Sequence, residues 1–417
     1  MTGLKIVVIS DWFSEKMGYA ENFLPKALAQ LGHDVHVITS TAQVYYSSAD
    51  YNKTYKPFLG NNIVNDGISK VDGYVLHRLK LIPNSVGMPG IRGLDDYLVK
   101  IKPQIIQTLA INSVTTKIAA KYCQKNDCKL FTECHIHASV FKKKNFFKKG
   151  LSKIITKCNI FNIVLDFLKF RLNRRQLNFI NSLTEICYPI ARDVAKIAIN
   201  NFYVPENKIK IQSLGVDTQL FYPANDFFIN NKKSIIRKEL GINDDSLLCI
   251  YTGRFTRDKN PQCLAKAINY LQNQKEDIQA IFIGRGDERE TEEISSMKGC
   301  LVHDFVQAEE LSKFYWISDI GIWPSQESTS QLDAAACGLP IILSDSIEVV
   351  ERVSGNGFLY KNNNEIDLAE KIKILKDPVL RSKMSKIGSE KIKNNYSWTS
   401  IATEREKDYY KSLENKI

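Results

Sequence analysis

The chain has 417 residues, 44% apolar and 25% charged, which is long enough for two buried cores and too apolar for a disordered chain. Its nine cysteines are odd in number and lack a CxxC spacing, which argues for reduced thiols and against a zinc site or disulfide frame. The chain opens directly on an apolar strand pattern without an export-signal pattern, and no apolar run is long enough to span a bilayer, so a cytoplasmic protein is expected.

Residues 5–10 (KIVVIS) predict a first strand, followed by a loop, 11–20, whose one glycine is Gly18. A helical pattern over 20–31 ends at Gly32, which caps it before a second strand at 34–39. Further strands are predicted at 104–108 and 130–134. The last of these runs into His135 and His137; an HxH pair can ligate metal, but no third ligand accompanies it at a sensible spacing. The window 141–175 holds eleven Lys or Arg and one acid, and so carries nearly all of the formal +11, with aromatic and aliphatic residues interleaved. Such a segment suits a solvated basic face, a nucleic-acid contact or an anionic membrane surface.

The second half repeats the grammar, with strands predicted at 248–252, 279–283, 301–305, 320–323 and 341–343. Strands alternating with helices imply parallel sheets covered on both faces, whose ligands lie beyond the carboxyl ends of the strands. After the strand at 248–252 comes Gly253-Arg254-Phe255-Thr256-Arg257-Asp258-Lys259-Asn260-Pro261, with Pro261 at a first helical position and Arg254 and Lys259 flanking a tight turn. Both cations can converge there on a pyrophosphate, with Arg257 as a spare. Gly284-Arg285-Gly286-Asp287 follows the next strand, and Phe305 closes the one after.

The densest stretch, 317–344, reads ISDIGIWPSQESTSQLDAAACGLPIILS. Its strand ends at Pro324-Ser325, Glu327 sits in the loop, and a helix is predicted over 329–337 before Gly338 and Pro340 stop it. Free backbone N–H groups at the start of that helix, around Thr329 to Gln331, suit a diphosphate. Glu327 and Asp333 flank that site, where sugar and ribose hydroxyls are natural donors to a carboxylate.

This run resembles the donor-binding signature of glycosyltransferase family 4, the retaining transferases of the GT-B fold, through Pro324, Ser325, Glu327, Asp333, Ala334, Cys337 and Gly338. The two acids have five residues between them where the family usually has seven, as a loop shortened by two would give, and the second is Asp where the family has Glu. The resemblance extends to Arg254, Lys259 and Pro261, to the Gly284 turn, to 302–306, where the family holds the base, and to the 31–37 helix-to-strand junction. It implies an α/β chain of two Rossmann-like domains facing each other across a cleft: an acceptor domain at 1–212, a nucleotide-sugar domain at 213–395, and a terminal helix at 396–417 crossing back to the first.

The resemblance implies catalytic roles for His135 (or His137), Glu327, Arg254 and Lys259, with Gly18, Gly284, Phe305, Ser328, Thr329, Ser330 and Asp333 completing the donor site. It implies a nucleotide-sugar donor and a glycan or lipid-linked acceptor in polysaccharide, lipopolysaccharide or glycolipid synthesis. It also favours the membrane reading of 141–175, at the inner face of the plasma membrane, over nucleic acid. No DxD-like acid pair follows a strand, so transfer without metal or cofactor is expected. A GT-B nucleotide-sugar epimerase and a non-catalytic sugar or lipid binder are the alternatives. A dinucleotide oxidoreductase is disfavoured, because no complete GxGxxG follows the first strand.

Overall fold

The structure is a computed structural model and describes residues 3–15, 17–49, 51–83, 90–137, 173–325 and 327–414. Apart from 173–175, the basic window 141–175 lies outside the described residues. The chain forms two compact units, one of Met1–Ser213 with Ile401–Ile417 and one of Leu214–Ser400.

The first unit is built on β1 (Lys5–Ser10), β2 (Asp34–Ser40), β3 (Gly67–Val71), β4 (Tyr74–Leu79), β7 (Ile105–Thr108), β8 (Lys129–Cys134) and β9 (Thr184–Pro189). A short pair, β5 (Leu81–Ile82) with β6 (Gly90–Ile91), stands beside the main sheet. The main sheet runs β3-β4-β2-β1-β7-β8-β9, parallel except for the β3–β4 hairpin. Its central strand is apolar from Ile6 to Ile9, and these four residues are essentially inaccessible to solvent, as a strand covered on both faces must be. The sequence pattern misses β3, β4 and β9. Almost all of β3 is solvent-exposed at the sheet edge, and the others mix polar residues among apolar ones, so none presents the uninterrupted apolar run that marks a central strand.

The helix Trp398–Glu414 supplies the terminal part of this unit. Tyr409 is fully buried and meets Phe131 of β8 edge-on, with ring centroids 4.7 Å apart. Arg405 is also buried and forms an ion pair with Glu133 of β8 while stacking on Tyr188 at 4.5 Å. Removing one partner alone from a buried pair of this kind costs about 3–5 kcal/mol, because the other charge is left stranded.

The second unit holds β10 (Leu247–Thr252), β11 (Ile278–Ile283), β12 (Cys300–His303), β13 (Ile320–Trp323), β14 (Ile341–Ser344) and β15 (Gly357–Tyr360), in the order β12-β11-β10-β13-β14-β15 and parallel throughout. All six residues of β10 are buried. Strand β12 stops at His303, so Phe305 lies beyond it, and β15 was not apparent from the sequence because Gly357 weakens its pattern. Each sheet reverses its winding once, between β1 and β7 and between β10 and β13. The loops leaving those strands are therefore where a parallel sheet opens a crevice at its carboxyl edge.

Candidate functional site

In the second unit, the loops after β10 and β11 are laced together by backbone hydrogen bonds. Gly253 N–H donates to Ile283 at 3.0 Å, Phe255 N–H to Arg285 at 3.1 Å, and Asp287 N–H to Phe255 at 3.0 Å. Such approach needs glycine: a Cβ on Gly284 would fall 1.9 Å from the Gly253 carbonyl oxygen, and one on Gly286 would fall 2.1 Å from that of Phe255. Gly284 thus shapes the turn that carries Arg254. Arg254 is exposed, while Arg257, the spare cation, pairs instead with Glu290 at 3.5 Å.

Lys259 precedes Asn260, whose left-handed φ of 51° delivers the chain to Pro261 at the start of helix Pro261–Asn273. Its ammonium donates to the Glu327 carbonyl at 3.1 Å, bridging the loops after β10 and β13 at the winding reversal. Burial lowers the Lys259 pKa, and the like charge of Arg254 adds to this, against the opposing pull of Asp258 and Glu327. Two cations set close together where the sheet opens a crevice suit an anion.

The loop after β13 is anchored at its base by Tyr360, whose hydroxyl donates to the Pro324 carbonyl at 2.6 Å, and by Trp323, whose indole donates to the Thr252 carbonyl at 3.0 Å. Farther along, Arg352 takes hold of it. This buried guanidinium donates to the Ser328 carbonyl at 3.2 Å and the Gln331 side chain at 2.8 Å, and lies 3.8 Å from the Glu327 carboxylate. Burial lowers the Arg352 pKa while Glu327 raises it. The helix is Ser330–Ala336, one residue shorter at each end than expected, with Thr329 exposed at its cap and Ser330 N–H donating to the Ser328 hydroxyl at 3.3 Å.

Asp333 has different company. Its side chain retains some accessible surface yet is ringed by protein, and burial pushes its carboxyl up to about 8. Its charge acts on Tyr315, whose hydroxyl lies 3.0 Å from that of Thr252 at the end of β10, and on Cys337 one helical turn away. The structure therefore brings Lys259, Arg254 and Glu327 together, while Asp333 acts on Tyr315 and Cys337. Phe305 is half exposed.

In the first unit, Gly18 takes a left-handed φ of 65° just before helix Ala20–Gln30. Strand β8 ends at Cys134, so His135 is the first residue past it. Its Nε2 lies 2.6 Å from the Glu133 carboxylate, whereas His137 pairs with Asp193 at 3.2 Å. Two buried carboxyls sit nearby in the fold. Burial pushes Asp11, at the end of β1, up to about 6 although Thr115 donates to it at 2.5 Å, and it pushes Glu21 up to about 7. One oxygen of each is buried without a hydrogen-bond partner. Arg352, Glu133, Arg405 and Glu21 escape sequence reasoning. The one available signal is a charged residue inside an apolar stretch, as Glu133 is in LFTEC and Arg352 in VVERV.

Among the described residues no group of three or more His, Cys, Asp or Glu side chains could hold a metal ion, and no helix is long and apolar enough to cross a membrane. Residues 232–391 match the family described as glycosyl transferases group 1. A 221-residue stretch is 27% identical to N,N'-diacetylbacillosaminyl-diphospho-undecaprenol alpha-1,3-N-acetylgalactosaminyltransferase of Campylobacter jejuni, covering 50% of this chain and 57% of that one. The chain spans about 60% or less of the length of the curated relatives it matches. The whole fold is similar to a glycosyltransferase of Rickettsia africae, with TM-score 0.68, 16% identity and full coverage of both chains. It is also similar to Anabaena HepE in complex with UDP, with TM-score 0.65, 13% identity and coverage of 97% of this chain and 99% of that one. Residues 232–391 thus match the glycosyl transferases group 1, within a chain that has a GT-B fold of two Rossmann-like units.

Proposed function

We propose that the chain is a retaining, metal-independent glycosyltransferase of the family 4 type. It moves a hexosyl group from a nucleotide sugar to a hydroxyl of a glycan or lipid-linked acceptor in cell-surface polysaccharide or glycolipid synthesis, at the inner face of the plasma membrane. The observation that carries this reading is the meeting of Lys259 and Arg254 with the Glu327 loop at the carboxyl ends of β10 and β13. A diphosphate is an anion that two neighbouring cations suit, and it is also the leaving group of a nucleotide sugar. As the bond from the anomeric carbon to the diphosphate breaks, the negative charge on the departing oxygen is met by these cations. The acceptor oxygen bonds on the same face, and its proton leaves with the diphosphate.

Glu327, steadied by Arg352, serves the transferred sugar, and Asp333 serves the ribose hydroxyls. Two relatives support the substrate classes: the name of the Campylobacter relative includes a diphospho-undecaprenol, and HepE is in complex with UDP. The charge of window 141–175 supports a membrane-side acceptor.

The test is a panel of UDP-, GDP-, ADP- and CMP-sugars with and without a lipid-linked acceptor, in EDTA, read by NMR of the anomeric coupling. Transfer with retained configuration is expected. An isomerised donor formed without acceptor would make the protein an epimerase, and binding without transfer or hydrolysis would make it a binder.

A further inference from the structure

Glu133 is fully buried, and it sits between a partner two residues later in the chain and one 272 residues later. Arg405 of the terminal helix forms an ion pair with its Oε1, and His135 Nε2 lies 2.6 Å from its Oε2. Two further contacts hold this arrangement. Arg405 also donates to Gln212 at 2.7 Å, and Gln107, which donates to Glu133 at 3.3 Å, in turn accepts from the Tyr409 hydroxyl at 3.1 Å. The charged and titratable groups round the Glu133–His135 pair are therefore Arg405 and Tyr409 on the terminal helix, which act on Glu133, and Glu21 on helix Ala20–Gln30, which acts on both.

Burial alone would raise the Glu133 pKa, but Arg405 and His135 overcome it and hold the carboxyl down at about 2. An ionised carboxylate only accepts hydrogen bonds. The proton in the 2.6 Å contact must therefore belong to His135 Nε2, and in the neutral ring Nδ1 is left with a lone pair. The histidine side chain keeps 31% of its accessible surface, so it is not sealed into the core.

We infer that Arg405 and Glu133 are positioning residues: from the terminal helix they fix His135 in the Nε2–H tautomer, so that Nδ1 accepts a hydrogen bond from a hydroxyl of the substrate sugar. This rests on the proposed transferase reading for the identity of the ligand, but not for the tautomer. The logic is that of a buried acid orienting a catalytic imidazole, with the orienting acid itself locked by a helix that begins more than 260 residues later in the chain.

The test combines labelled-histidine NMR with kinetics on the full chain. Wild type should show His135 as the Nε2–H tautomer when neutral. In Glu133→Gln the amide oxygen can still accept from Arg405, while its NH2 donates to the ring and drives it to the Nδ1–H form. Turnover should then fall roughly tenfold or more, with the affinity for free UDP unchanged because the nucleotide motifs lie in the other unit. Arg405→Lys keeps the charge and should hold the wild-type tautomer, which separates positioning from simple loss of fold in Arg405→Met. A wild-type His135 in the Nδ1–H form, or a Glu133→Gln protein with full turnover, overturns the inference. Failure of wild type to bind any nucleotide sugar overturns the transferase reading and leaves the tautomer result standing.

Discussion

Lys259 donates its ammonium to the main-chain carbonyl of Glu327 at 3.1 Å, which ties the loop after β10 to the loop after β13 across the winding reversal of the second sheet. The contact sets a cation and a carboxylate-bearing loop in register without using the carboxylate itself. The Glu327 side chain is instead steadied by Arg352 from the segment after β14. Three chain segments thus converge where a parallel sheet opens to its ligand.

Lys259→Ala and Arg254→Ala should each lower turnover by roughly 10²–10³, the loss typical of one preorganised group facing developing charge. Arg254 is exposed, so its variant should keep the wild-type melting temperature. Steady-state kinetics with the donor found in the panel, beside a thermal melt, check both. Near wild-type turnover in both variants would remove the diphosphate from this site.

Arg352→Met should act through the loop and not through the phosphates. It strips two hydrogen bonds from the Ser328 carbonyl and Gln331 and leaves Glu327 without its nearest guanidinium. Transfer should drop at least as far as in Glu327→Ala, and the double variant should be no worse than Arg352→Met alone, since coupled residues lose their effect together. Strict additivity would mean that the guanidinium has another task.

How much of this was legible beforehand follows from the physics of each residue. Arg254, Lys259, Gly284 and Glu327 follow strands buried along all or nearly all of their length, and strands of that kind announce themselves as apolar runs, so the loops after them could be located. The roles inside the loops could not: Arg257 looks equivalent to Arg254 in sequence but faces Glu290. The edge strand β3 has almost no buried residue and therefore no pattern. Arg405 and Glu133 are 272 positions apart, and only tertiary packing brings them together.

The basic window 141–175 supplies the next prediction, from its charge alone. Replacing Lys142, Lys143, Lys144, Lys148 and Lys149 with Gln should release the protein from anionic liposomes and slow transfer to a lipid-linked acceptor, with donor affinity unchanged. Added salt should imitate the substitutions, because attraction between exposed charges is screened over about 10 Å at 0.1 M. Sedimentation with phosphatidylserine vesicles measures it. Wild type that ignores such vesicles at low salt would favour a soluble acceptor.

Asp333 gives a test with a definite sign. Burial pushes its carboxyl from the ordinary 3.8 up to about 8 in the folded chain, so the unfolded chain gives up the proton first. Whatever stability the protonated form contributes is complete below pH 3.8 and is lost as pH rises towards 8. Asp333→Asn cannot lose that proton. Its melting temperature should therefore climb relative to wild type between about pH 4 and 8 and then run parallel. UDP binding adds the functional half: if ribose hydroxyls donate to the ionised carboxylate, binding near pH 7 must expel a proton in wild type and none in Asp333→Asn. Calorimetry in two buffers of different ionisation enthalpy reads that proton directly. A melting difference that ignores pH would show the carboxyl to be well solvated, and equal proton release in both proteins would take the ribose away from Asp333.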